Sequence, residues 1–130
     1  MTVQVLLVDD QASFRRAAQR VLARLADFEV VGEAATGESS IEAARLLRPD
    51  LVLMDIHLPG MDGPEATRRI LAEPSGKERR PVVFLLSTYE AADCAAQTIA
   101  CGAAVYLSKA EFSATTLSMA WASAIAGEQA

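Results

Sequence analysis

The sequence predicts an α/β fold in which helices cover both faces of a parallel sheet. Short continuous apolar runs recur along the chain, and such runs are typical of strands that are buried on both faces. Segments with helical periodicity separate these runs, so strands and helices alternate five times. The chain has 130 residues, of which 52% are hydrophobic. This length and composition predict one domain over residues 1–130, with a substantial core.

The five predicted strands are rich in aliphatic and β-branched residues. The run at 51–54 is the most informative because four apolar residues lead directly into Asp55. The others are similar but carry different polar residues at their ends. The predicted strands cover residues 3–8, 29–34, 51–54, 82–86 and 104–107.

The first two helices are predicted from periodicity and from their end signals. Apolar residues recur at intervals of three and four from Phe14 to Leu25, which marks one face of a helix. Ser39 with Glu42 three residues later is typical of a capping box, so we expect the second helix to begin there. Pro49 is expected to end it.

The last three helices have comparable signals. Pro64 suits the first position of the third helix, which is expected to run to Pro74. The fourth helix is predicted over residues 91–101, with Gly102 as its C-terminal stop. Apolar residues within 117–125 line the last helix.

Composition excludes several classes of protein. The net charge is -5 and the isoelectric point is about 4.8, which argues against direct nucleic-acid binding by this chain. No apolar run approaches the roughly 18 residues that span a membrane, and the first residues lack a signal-peptide layout. We therefore expect a cytoplasmic protein. Cys94 and Cys101 lie about 10 Å apart on a helix, too far for a disulfide, so we interpret them as small buried thiols.

Polar side chains follow four of the predicted strands at their carboxyl ends. This edge is where open α/β sheets bind ligands. Two carboxylates about 4 Å apart repel by roughly 4 kcal/mol at an effective dielectric of 20, so an acidic cluster favours a bound cation. Oxygen ligands suit Mg²⁺, and the single histidine does not support a zinc site. The residues at this edge are Asp9, Asp10, Asp55, Ser87, Thr88 and Lys109.

Asp55 is the candidate nucleophile of this edge. An aspartate carboxylate can attack phosphorus to give an acyl phosphate. A cation and the ammonium of Lys109 would stabilise the phosphoryl oxygens, with a hydroxyl at Ser87 as a further donor.

Plain structural interpretations stand beside these roles. Asp9 and Asp10 can cap the first helix, and Asp55 can form an Asx-turn. His57, the only histidine, is interpreted as an exposed loop residue. Four arginines are interpreted as a solvated face of the first helix: Arg15, Arg16, Arg20 and Arg24.

Four segments, in the right order, resemble the receiver domain of two-component response regulators. They are Asp9-Asp10, residues 54–63 (MDIHLPGMDG), residues 86–88 (LST) and residues 106–109 (YLSK). The resemblance spans nearly the whole chain. It implies a flavodoxin-like, doubly wound sheet of five parallel strands in the order 2-1-3-4-5 with five helices. Residues 112–128 further resemble receivers that precede a LuxR-class helix-turn-helix domain.

The resemblance also implies a phosphorylation site. A sensor histidine kinase or a phosphotransfer protein would donate a phosphoryl group to Asp55 in a phosphorelay. Mg²⁺ would be bound by Asp10 and Asp55, by Asp9 through water, and by the backbone carbonyl of His57. Lys109 would contact the phosphoryl group.

A switch and an access route follow from the same resemblance. Ser87 and Tyr106 would form the conformational switch, with Ser87 standing where the family more often has threonine. Thr88 stands where alanine or glycine is usual, and it would flank the route to the phosphoryl group together with Tyr89. Ala110 stands where many receivers have proline, so we expect a trans peptide bond before it.

The fourth helix, fifth strand and fifth helix are predicted to form a protein interface, plausibly for a homodimer. Between residues 91 and 126 the only charged side chains are Asp93, Lys109 and Glu111. Weakly charged exposed surfaces often mark sites of association.

Three other functions compete with the signalling domain. A phosphatase with a strand-end aspartate nucleophile needs a second aspartate two residues later, and His57 stands there. A nucleotide or flavin binder needs a phosphate loop after the first strand, where Asp9 and Asp10 would repel phosphate. A receiver-like adaptor would act by protein binding without phosphorylation. We predict a signalling domain and not an enzyme.

Overall fold

The computed structural model describes residues 2–73, 80–88, 96 and 98–129. Its strands are β1 (Val3–Val8), β2 (Phe28–Ala34), β3 (Leu51–Asp55), β4 (Val82–Ser87) and β5 (Val105–Ser108). Its helices are α1 (Ala12–Ala23), α2 (Gly37–Leu47), α3 (Gly63–Ala72), α4, described at residues 96 and 98–101, and α5 (Ala114–Gln129). A short 3₁₀ turn, Lys109–Glu111, joins β5 to α5.

The five strands form one parallel sheet in the order β2-β1-β3-β4-β5. This confirms the predicted fold and strand order, and the strand bounds differ from the predicted ones by a residue at most at either end. β3 is the central strand, and all five of its residues are buried. A strand with helices on both faces has no solvent side, which explains its continuous apolar sequence.

The sheet separates two apolar clusters, and alternate residues of each strand enter opposite clusters. Leu6 and Val8 of β1 pack with α2 and α3, while Val5 and Leu7 pack with α1 and α5. This alternation follows from the two-residue period of a strand. The interior is therefore made of two half-cores, one under each layer of helices.

The start of α2 differs from its prediction. Thr36 is the N-cap, in an extended conformation, and it forms a capping box with Ser39. The predicted box of Ser39 with Glu42 is wrong because the helix begins one turn earlier. Glu42 instead pairs with Arg45 on the exposed side of the helix.

The other helix ends are close to their predictions. Asp62 caps α3 by accepting a hydrogen bond from the backbone N–H of Glu65 at 2.9 Å, and Pro64 lies in the first turn. Gly102 follows α4 with a positive φ of 90°, as expected for a helix stop. The N-cap of α1 is Gln11, with no side-chain capping bond, so the interpretation of Asp9 and Asp10 as caps is wrong.

Some predictions fall outside the described residues. These are the start of the fourth helix at 91–95, Pro74, Tyr89 and Cys94. Cys101 is described and is buried, as interpreted from the sequence. Among the helices that the structure describes, none has both the length and the apolar character to cross a membrane.

Candidate functional site

Asp55 is the last residue of β3 and lies at the carboxyl edge of the sheet. Its neighbour Ile56 is still tied to the sheet through a hydrogen bond of 2.9 Å from its N–H to the carbonyl of Leu86. Gly63 packs directly against the Asp55 backbone, because a Cβ at Gly63 would lie 2.1 Å from the Asp55 carbonyl oxygen. Only 4% of Asp55 is exposed. The carboxylate therefore stands on a rigid, almost fully buried support.

Asp9, Asp10 and Asp55 form an acidic cluster. Each offers a carboxylate oxygen, and the three oxygens lie within 4.8 Å of one another. Asp9 and Asp55 are buried, while Asp10 is exposed. Asp9 is held by a hydrogen bond of 2.8 Å from the N–H of Gln11 to its Oδ1. The β1–α1 loop thus directs two acids towards the end of β3.

Arg15 braces this loop, although its sequence position suggested only a solvated helix face. Its Nη1 donates to the carbonyl of Asp9 at 2.5 Å, and its Nε pairs with Glu33 of β2 at 2.7 Å. Its side chain is only 19% exposed. The interpretation of Arg15 as a solvated residue is wrong, because a partner on the neighbouring strand draws it inward. Arg16, Arg20 and Arg24 are exposed as interpreted.

Lys109 enters the site from the end of β5. Its Nζ lies 2.5 Å from Oδ2 of Asp9 and 3.6 Å from Oδ2 of Asp55, and its side chain is 11% exposed. The peptide bond between Lys109 and Ala110 is trans, as expected without proline. The ammonium also lies over the ring of Phe14, 4.6 Å from its centroid. The periodicity of α1 had assigned that ring only to the core.

Burial is the main cause of a raised Asp55 pKa. It lifts the pKa from the ordinary 3.8 to about 6, and the negative charge of Asp9 adds to this effect. The ammonium of Lys109 and the hydrogen bond from the N–H of His57 act in the opposite direction. A cation placed among the carboxylates would favour the charged, nucleophilic form of Asp55 still further.

The remaining predicted site residues lie around this cluster. Ser87 is fully buried at the end of β4, and Thr88 directly after it is exposed. Tyr106 of β5 is half-buried, and its hydroxyl donates to the Ser87 carbonyl at 3.5 Å. His57 lies exposed in the loop after β3, as interpreted from the sequence, and its N–H donates to Asp55 Oδ1 at 3.3 Å. Tyr89 lies outside the described residues.

The donor set of the cluster fits a small hard cation. All three converging side chains supply oxygen, which Mg²⁺ prefers, and no sulfur or imidazole side chain lies among these three ligand atoms. The nearby ammonium of Lys109 provides positive charge on the side facing Asp9 and Asp55. The arrangement suits binding of a cation together with an anionic group at Asp55.

Comparisons with known proteins agree with this geometry. The sequence matches the family model of the response regulator receiver domain over residues 5–120. A protein-glutamate methylesterase/protein-glutamine glutaminase of Idiomarina loihiensis is 38% identical over 84% of this chain and 28% of its own length. The response regulator GacA of Pseudomonas aeruginosa is 38% identical over 82% of this chain and 48% of its own length.

A solved structure gives the same result. A LuxR-family two-component response regulator from Aurantimonas sp. SI85-9A1 superimposes with a TM-score of 0.84 at 29% identity, covering 98% of this chain and 87% of that one. The chain spans less than half the length of the two curated relatives, and these two alignments cover 84% and 82% of the chain. Together with the strand order and the acidic edge, these matches show that this chain belongs to the response regulator receiver domains, the phosphoacceptor signalling domains of two-component systems.

Proposed function

We propose that Asp55 is the residue of this receiver domain that accepts the phosphoryl group. The observation that carries the proposal is its position: a nearly buried carboxylate at the end of the central strand, 3.6 Å from the ammonium of Lys109. A carboxylate oxygen of Asp55 attacks phosphorus, the bond to the donor's leaving group breaks, and an acyl phosphate results. Lys109 then pairs with a phosphoryl oxygen.

Mg²⁺ is the proposed cofactor of this reaction. Asp10 and Asp55 would hold it with their carboxylates, Asp9 through a water molecule, and His57 with its backbone carbonyl. When bound, the ion neutralises the charge that gathers between the carboxylates and an incoming phosphoryl group. Support comes from the three converging oxygens. The pKa of Asp55, which burial raises and the charge of Asp9 raises further, shows that the charged carboxylate would gain from a cation.

The test is labelling by acetyl phosphate in the presence of Mg²⁺. We expect one added phosphoryl group by intact mass, stable in acid and cleaved by hydroxylamine, and none in Asp55→Asn. Asp27→Asn is the matched control, because Asp27 is an exposed acid outside the acidic cluster and should leave labelling unchanged. Equal labelling of Asp55→Asn and the wild type would refute the assignment.

Asp10→Asn tests the metal site independently of phosphorylation. We expect it to lose most of the thermal stabilisation that Mg²⁺ gives the wild type, because one ligand of the ion is removed. The same stabilisation in both proteins would contradict the proposed ligand set.

Ser87 and Tyr106 are proposed as the switch that reports phosphorylation. The Ser87 side chain lies at the end of β4, next to β3, and the Tyr106 hydroxyl already contacts the Ser87 backbone. A phosphoryl oxygen at Asp55 would attract the Ser87 hydroxyl. The end of β4 would then move, and Tyr106, which contacts the Ser87 backbone, would move with it. Tyr106→Phe should still be labelled at Asp55 but should lose the change in association described below.

Thr88, with Tyr89, is proposed to slow hydrolysis of the acyl phosphate by obstructing water. Support comes from the position of Thr88, exposed at the carboxyl edge directly after the buried Ser87. We expect a shorter phosphate lifetime in the Thr88→Ala, Tyr89→Ala double variant. An unchanged lifetime would remove this part of the proposal.

The proposed partners are a sensor histidine kinase or phosphotransfer protein as donor, and a second copy of this chain. Met119 of α5 is 68% exposed, and the described exposed positions around it are small or hydroxylated. We expect sedimentation to show that phosphorylation promotes dimers and that Met119→Glu prevents them. Leu46→Glu is the matched control, since Leu46 is a 73% exposed residue on α2. Monomers in every state would refute the dimer.

We propose that this receiver domain extends over residues 1–130 and is not itself an enzyme. The family match covers residues 5–120, and the methylesterase relative shares only 28% of its length with this chain. The activity in that relative's name belongs to the whole relative. No methylesterase activity is therefore expected from these 130 residues, which an ester-hydrolysis assay would check.

A further inference from the structure

We propose that Phe14 is a positioning residue for Lys109, and that its ring face holds the ammonium beside Asp55. The inference rests on the proposed function insofar as it concerns the role of Lys109 at Asp55. From the sequence, Phe14 was predicted only to be one of the apolar residues on the buried face of α1. The structure gives its ring a second neighbour, the charged end of a lysine.

Three groups of the described residues lie close to the ammonium of Lys109. Its Nζ lies 2.5 Å from Asp9, 3.6 Å from Asp55 and 4.6 Å from the ring centroid of Phe14, over the ring face. The side chain is 11% exposed, so water reaches little of it. The face of an aromatic ring carries negative charge density and attracts a cation at this distance, more strongly when the pair is shielded from water.

The ring is itself fixed in place. Phe14 is on the first turn of α1, and its ring packs against Phe112 with centroids 5.8 Å apart and planes tilted by 52°. The N–H of Phe112 in turn donates to the carbonyl of Lys109 at 3.3 Å. Lys109, Phe112 and Phe14 therefore form a closed set of contacts that ties α1 to the turn after β5.

The ring contributes something that the carboxylates do not. Asp9 is closer to the ammonium than Asp55, so an ammonium held by Asp9 alone would follow that side chain whenever it changes partner. The ring attracts the cation without neutralising it and without taking up a proton. It can therefore keep Lys109 next to Asp55 while leaving its charge available for a phosphoryl oxygen.

The first test is the magnetic environment of Lys109. The chain has two lysines, Lys77 and Lys109, so labelling lysine with ¹³C at Cε gives two signals that Lys77→Arg assigns. Protons over a ring face resonate upfield. We expect an upfield signal of Lys109 in the wild type and in Phe14→Tyr, and an ordinary position in Phe14→Leu.

The matched control is Phe28→Leu. Phe28 is also a partly buried aromatic residue of the same half-core, and its ring lies 6.1 Å from that of Trp121. The ring that lies under the ammonium of Lys109 is that of Phe14. We expect Phe28→Leu to leave the Lys109 signal at its wild-type position. This control separates a general loss of packing from the loss of the ring next to the ammonium.

The second test is the initial rate of labelling of Asp55 by acetyl phosphate at saturating Mg²⁺. A moderate cation–π contact predicts a rate about fivefold lower in Phe14→Leu, with Phe14→Tyr and Phe28→Leu within about twofold of the wild type. The tyrosine ring keeps a negatively charged face. A rate near that of the wild type in Phe14→Tyr would therefore show that the ring, and not the packing of the helix, supports labelling.

The results separate this inference from the proposed function. A Lys109 signal in the same position in Phe14→Leu and the wild type would overturn the inference, as would an equal loss of rate in Phe14→Leu and Phe14→Tyr. If the wild type takes no label, the assignment of Asp55 fails. The upfield signal, which needs no phosphorylation, then still decides whether Phe14 holds the ammonium.

Discussion

Replacement of Asp55 by asparagine should stabilise the protein in the absence of metal, and the gain should depend on pH. Burial and the charge of Asp9 raise the Asp55 pKa from 3.8 to about 6 in the folded protein. As pH rises above 4, the unfolded chain loses this proton first. The raised pKa of Asp55 therefore lowers the free energy of unfolding. This loss of stability grows up to about pH 6 and remains constant above it.

The magnitude follows from the pKa. A rise of about two units, at about 1.36 kcal/mol per unit, gives a penalty of about 3 kcal/mol at pH 7.5. Below the folded pKa the penalty declines, and by pH 4.0 linkage leaves about 0.5 kcal/mol. Asparagine has the same shape and keeps an oxygen for the N–H of His57, but it has no charge to desolvate.

The assay is urea unfolding, followed by circular dichroism in EDTA, at pH 7.5 and pH 4.0. Both values lie away from the isoelectric point of about 4.8. We expect Asp55→Asn to exceed the wild type in free energy of unfolding by about 3 kcal/mol at the higher pH and by less than about 1 kcal/mol at the lower. Asp27→Asn, at an exposed acid, should stay within about 0.5 kcal/mol of the wild type. A gain that is the same at both pH values, or a loss at pH 7.5, would refute this reasoning.

Three further predictions concern a close backbone contact, a buried hydroxyl and an ion pair, and each can be measured by the same unfolding experiment or by calorimetry. Gly63→Ala should lower the free energy of unfolding by about 2–3 kcal/mol or more, because its Cβ would lie 2.1 Å from a backbone oxygen. Gly127→Ala, with open space around it on α5, should raise it by about 0.5–1 kcal/mol, and similar effects of the two changes would contradict this prediction. Thr67→Val should stabilise by about 1 kcal/mol, because the buried Oγ1 of Thr67 has no hydrogen-bond partner among the described residues; a loss would point to a partner. Arg15→Gln removes the ion pair with Glu33 and should weaken Mg²⁺ binding about tenfold in a calorimetric titration, and unchanged affinity would show that the loop needs no brace.

The sequence was most informative where physical constraints are local. The run before Asp55 predicts a strand buried on both faces, and all five residues of β3 are buried. The alternation of strands and helices likewise predicted the parallel sheet. The strand order came from the resemblance to receivers, and the structure has the same order.

Side-chain partners were harder to predict because they depend on distances between elements. The Ser39 capping box was misplaced by one turn, since both Thr36 and Ser39 are good caps and only the helix start distinguishes them. Arg15 was assigned to solvent because Glu33 lies 18 residues away in the chain. Its other partner is the backbone carbonyl of Asp9, which no residue type at that position would signal.

The detailed geometry of Lys109 was not accessible from the sequence at all. Its strand-end position predicts an ammonium at the acidic edge, but not that its Nζ lies closer to Asp9 than to Asp55. Nor does a periodic apolar position such as Phe14 indicate that its ring faces a charge. Both depend on how α1 and the turn after β5 meet in three dimensions.

The division of the interior by the sheet places two natural reporters on opposite sides of it. Trp121, the only tryptophan, packs in the half-core under α1 and α5, and Cys101 is buried in the half-core under α2 and α3. With Cys94 replaced by serine, the tryptophan fluorescence and the thiol reactivity of Cys101 would each follow one half alone. Coinciding transitions would show that the two halves unfold as a single cooperative unit, and separate ones would reveal which layer of helices loosens first.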